Sequence, residues 1–93
     1  PNHQDAMFNL ARTYELTGNY EQSIQMYQKI IRQNPMDVEA RFNAGFIYMN
    51  HLASDEQAIM LFKQGLSVNP SHQEAKAVRE ILFKLENTVT KDA

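Results

Sequence analysis

The residues able to do chemistry in this 93-residue chain are few and scattered. The three histidines are His3, His51 and His72, and each falls near a predicted helix end or loop. His51 with Asp55 and Glu56 forms the closest acid–imidazole grouping. It straddles a loop and lacks the one-face spacing of a metal-ligand helix, so neither a metal nor a catalytic role is assigned. With no cysteine, a disulfide framework, a thiolate zinc site and a cysteine nucleophile are all excluded. No glycine-rich phosphate loop, no G-x-S-x-G elbow and no paired carboxylates on an apolar background occur. The chain reads as a non-enzyme without cofactors. The remaining chemistry is that of recognition: an apolar stripe, Phe42, Phe46 and Met49, with Asn43 and Asn50 beside it, and its earlier counterpart Phe8, Asn9 and Arg12.

Those two stripes are copies of one another. Ala6, Phe8, Asn9 and Tyr14 recur as Ala40, Phe42, Asn43 and Tyr48, at an offset of 34. Gln22, Ile24, Asn34 and Pro35 recur as Gln57, Ile59, Asn69 and Pro70, at an offset of 35, so one residue is inserted between Tyr48 and Gln57. A period of this size marks a repeat architecture. One period before Pro35 stands Pro1, so the chain reads as a piece of a longer array that starts at the closing turn of an earlier repeat.

Hydrophobic periodicity and cap residues place five helices. The first, about 5–17, carries Ala6, Leu10, Ala11 and Tyr14 on one face, and Gly18 closes it. Asn19 with Gln22 opens the second, about 20–33, which buries Tyr20, Ile24, Tyr27, Ile30 and Ile31 and stops before Pro35. Asp37 caps the third, about 38–51, whose face is Ala40, Ala44, Gly45 and Tyr48. Ser54 with Gln57 opens the fourth, with Ala58, Leu61, Phe62 and Leu66 inward. Ser71 with Glu74 opens the fifth, about 72–87, which carries Ala75, Val78, Ile81, Leu82 and Leu85. Residues 88–93 read as a frayed polar tail. Gly45 and Gly65 sit inside helices, where glycine costs about 1 kcal/mol relative to alanine, and so point to close helix contact. The expected organisation is a single domain: repeat one over 4–37, repeat two over 38–72 and a capping helix over 73–87.

Charge and hydropathy narrow the partners. The net charge of −2 argues against nucleic acid, which calls for a basic face. No apolar run approaches the roughly 18 residues of a membrane span. The scattered charges, among them Lys76, Glu80 and Lys84 at i, i+4, i+8, read as a solvated outer face. No compartment is assigned.

The spacing resembles the tetratricopeptide repeat. Leu10-Ala11-Tyr14, Gly18, Ser23, Tyr27 and Pro35 make the first copy, and Ala44-Gly45-Tyr48, Ala58, Phe62, Gly65 and Pro70 the second. The resemblance implies an all-α, right-handed solenoid of two helix-turn-helix repeats plus a C-terminal capping helix. Departures are Met7 and Arg41 at the early aromatic position, Ile30 at a small position, and Arg79 and Glu80 where leucine and a small residue belong. In such arrays the first helices of successive repeats line a concave groove. The face carrying Phe8, Arg12 and Glu15 lies roughly 140° from the Ala6-Leu10-Tyr14 face. The resemblance thus implies a protein-interaction scaffold that binds a peptide or helix through Phe8, Asn9, Arg12, Phe42, Asn43, Phe46, Met49 and Asn50. Asn9 and Asn43 would hold the peptide backbone and Arg12 a carboxylate. One subclass clamps the acidic tails of heat-shock chaperones; Phe8, Arg12, Glu74 and Val78 replace its lysines, asparagine and arginine, so that ligand is not expected. The alternative is that the apolar stripe only packs, within a purely structural or self-associating segment of a longer solenoid.

Overall fold

A computed structural model describes residues 3–91. Pro1, assigned above to an earlier repeat's closing turn, lies outside them, as do residues 92–93 of the expected tail. Five helices follow one another: α1 His3–Leu16, α2 Tyr20–Gln33, α3 Glu39–Asn50, α4 Asp55–Val68 and α5 Ala75–Lys91. Each packs chiefly on its neighbours in the chain, so the stack is quasi-one-dimensional. Its 45 × 29 × 19 Å extents leave room for two helix layers across the thinnest direction.

The helix ends follow the expected residues more closely than the expected bonds. Gly18 turns the chain at φ +81°. Asp37 Oδ1 accepts the Ala40 backbone N–H at 2.8 Å, an N-cap three residues deep. The two capping boxes at Asn19 and Ser54 do not form, since neither side chain makes a cap hydrogen bond. Asn19 instead donates through Nδ2 to Thr17 Oγ1 at 2.9 Å. Before α5 the third box is also replaced, with His72 Nδ1 accepting the Glu74 N–H at 3.1 Å. In the longer α3–α4 loop Ala53 takes φ +49°, so an alanine holds the left-handed conformation that glycine supplies in the first hairpin. At the C-terminal end, α5 is helical through Lys91, beyond the expected end near residue 87.

Two apolar clusters share α3. Met7, Ala11, Ile24, Tyr27, Ile30, Ala40, Ala44 and Ile47 join α1, α2 and α3. Val38, Phe42, Ala58, Phe62, Val78 and Leu82 join α3, α4 and α5. The α1 face is corrected by this packing. Met7 and Ala11 are the buried pair, whereas Ala6 is exposed and Leu10 is 42% exposed. An i, i+4 pair at 7 and 11 points at α2, and Ala6 and Leu10 lie rotated away on the open side. Inside the first hairpin the buried Ser23 hydroxyl donates to the Ala11 carbonyl at 2.7 Å. The second hairpin has alanine, Ala58, at the equivalent place and closes by ring packing instead.

Candidate functional site

The first helix of repeat one and the start of the first helix of repeat two border an open cleft of about 500 Å³, lined by Gln4, Asp5, Phe8, Asn9, Arg12, Asp37 and Glu39. The helical period presents residues 5, 8, 9 and 12 of α1 to this space, and the turn capped by Asp37 brings in the other side. Gln4 Nε2 donates to Asp37 Oδ2 at 2.7 Å, so one carboxylate both caps α3 and ties it to α1.

Three of the eight expected binding residues meet here. Phe8 is half-buried, with its ring edge-on to Tyr27 at 6.0 Å and 61°. Asn9 and Arg12 are exposed on the cleft wall. The expected binding residues of α3 do not line it. Phe42 is withdrawn from the groove: it is fully buried, edge-on to Phe62 at 6.3 Å and to His72 at 5.4 Å. Phe46 and Met49 are half-buried against the same cluster, Phe46 edge-on to Phe62 at 5.1 Å. Asn43 is half-buried and Asn50 exposed, further along α3. The two-sided apolarity of α3 therefore has a packing cause, since this helix is the middle of the stack and serves both clusters.

Beneath the cleft the Tyr27 side chain is fully enclosed. Its hydroxyl is buried without a hydrogen bond; the Asn43 amide stands beside it but does not complete one. Burial, then the nearby Glu15 carboxylate, pushes the Tyr27 pKa up to about 12. Elsewhere, His51 of the acid–imidazole grouping stacks flat on Tyr20, with centroids 4.1 Å apart and planes 9° apart.

Gln4, Asp5, Asp37 and Glu39 were missed as cleft residues. The repeat itself carries the signal: Gln4 and Asp37 stand 33 apart, nearly one period, so they meet where successive repeats meet.

These hairpins, stacked so that first helices line one side, define a helical-repeat solenoid. Residues 5–35 match the tetratricopeptide repeat family model. A solution NMR structure of a tetratricopeptide repeat domain protein from Salinibacter ruber is similar in fold, with a TM-score of 0.82 at 18% identity over 94% of this chain and 90% of that one. No curated protein matches the chain. The first hairpin is thus similar to a tetratricopeptide repeat in sequence, and the whole stack has the fold of a tetratricopeptide repeat domain. Among the described residues no helix is long and apolar enough to cross a membrane.

Proposed function

We propose that this domain binds an extended peptide segment of a partner protein on the side where α1 and α3 border the open cleft. The observation that carries the reading is the convergence of Phe8, Asn9 and Arg12 on that cleft, with the Asn9 amide and Arg12 guanidinium exposed. A peptide backbone needs amide partners, and Asn9 supplies one on the cleft wall. Phe8 supplies an apolar contact held in place by Tyr27.

A random peptide library selected against the folded protein tests this, with Asn9→Ala and Arg12→Ala as counter-screens. Both side chains are exposed, so neither change alters the core. Peptides sharing a motif that lose binding to the Asn9→Ala protein support the cleft. A folded protein that enriches no motif would sink the reading.

A second reading has its own support. Leu10 on α1 and Phe83 on α5 are 42% and 68% exposed at opposite ends of the stack. Phe83 continues the Tyr14, Tyr48 series of ring positions, and a further helix packed there would cover it. On this reading the segment is a spacer or self-associates through its ends. Sedimentation that shows only monomer at high concentration removes the self-associating branch.

A further inference from the structure

We infer that the α1–α3 cleft takes a cationic side chain, lysine or arginine, of the bound peptide; this rests on the peptide-binding reading above and names the chemistry of its partner. Arg12 taken alone calls for a carboxylate. The assembled cleft reverses that sign, because the fold adds Asp37 and Glu39 from the second repeat to Asp5 from the first. Three carboxylates and one guanidinium then line the cleft. The other arginine nearby, Arg41, does not line the cleft; its Nη1 donates to the carbonyls of Pro35 and Asp37.

One further feature fits a cation independently of the count of charges. The ring of Phe8 forms part of the cleft wall, and an aromatic face attracts an ammonium or guanidinium placed over it. Lysine and arginine carry several N–H donors and no acceptor, so such a side chain matches a site rich in carboxylates. A glutamate side chain offers only acceptors and meets three like charges.

The peptide library provides the test, read this time for charge. Binders of the wild-type protein are expected to be enriched in lysine or arginine at one motif position. Replacing that residue by norleucine should weaken binding about tenfold, and so should the protein variant Asp5→Asn/Glu39→Gln, with the effect shrinking at high salt. Both carboxylates are exposed and make no cap of their own, and a circular dichroism spectrum like that of wild type shows that the double variant is folded. Asp37 is left intact because it caps α3. A motif that depends on Asn9 but is enriched in acidic or neutral residues overturns this inference and leaves the peptide-binding reading standing. No motif from a folded protein overturns both.

Discussion

Phe62 lies across the backbone of Gly45: a methyl group on that glycine would stand 2.6 Å from Phe62 Cε1. The relation is reciprocal, since Phe42 of α3 lies in the same way against Gly65 of α4. Each helix of the second hairpin thus presents a ring to the other's glycine. The two rings also meet edge-on, 6.3 Å apart.

Gly45→Ala should therefore destabilise the protein. Alanine gains about 1 kcal/mol of helix propensity. Overpacking a close-packed core costs about 1–3 kcal/mol, and Phe62 has little freedom to retreat because Phe42 and Phe46 flank it. Urea unfolding is expected to show a net loss of about 1 kcal/mol, for Gly65→Ala as well. A more stable Gly45→Ala protein would contradict the packing.

Phe42→Ala should cost about 3–5 kcal/mol, because a fully buried ring leaves a cavity. In a domain whose whole stability is about 5–15 kcal/mol, that brings the protein close to unfolding. Phe46→Ala, at a half-buried site, should cost clearly less. Equal losses in a denaturant series would mean that the two rings are buried alike.

Ala53→Gly should stabilise the second hairpin. An alanine at φ +49° occupies a conformation costing about 1–2 kcal/mol for an L-residue, and glycine removes that strain. Glycine also gives the unfolded chain more freedom, which offsets part of the gain. A rise in stability of about 0.5–1 kcal/mol is expected; a loss would show that the loop is not strained.

Tyr27 ties stability to alkaline pH. Burial raises its pKa in the folded protein to about 12, against 10.0 for the free side chain. The folded state therefore keeps the phenolic proton where the unfolded state releases it. The contribution is whole below pH 10 and is lost as pH rises through about 12. Relative to wild type, Tyr27→Phe should lose less stability between those values, since phenylalanine has no proton to release. Near neutral pH the variant should match or exceed wild type by about 1 kcal/mol, because it removes an unsatisfied buried hydroxyl. Parallel alkaline unfolding curves for the two proteins would refute the assignment.

Much of the fold was legible because its causes are local. Gly18, Pro35 and the 34–35-residue recurrence mark the turns, and α2 runs over the residues its periodicity indicates. Gly45 and Gly65 declared their close contacts by being costly where they stand. The failures were of rotation and partner. A shift from Leu10 to Met7 as the inward residue is less than a fifth of a helical turn, and the wheel alone does not resolve it. Cap residues were recognisable at Asn19 and Ser54, but whether the side chain closes the bond depends on loop geometry.

The candidate site divides along the same line. The sequence by itself determined which residues face one way on α1, so Phe8, Asn9 and Arg12 were found together, because 3.6 residues per turn is a property of one helix. Only the tertiary structure decided the fate of α3. Its position between two hairpins drew Phe42 into the core. It also decided the charge of the cleft, because the stacking of one repeat on the next puts Asp37 and Glu39 on the same cleft as Arg12, an arrangement that no single helix contains.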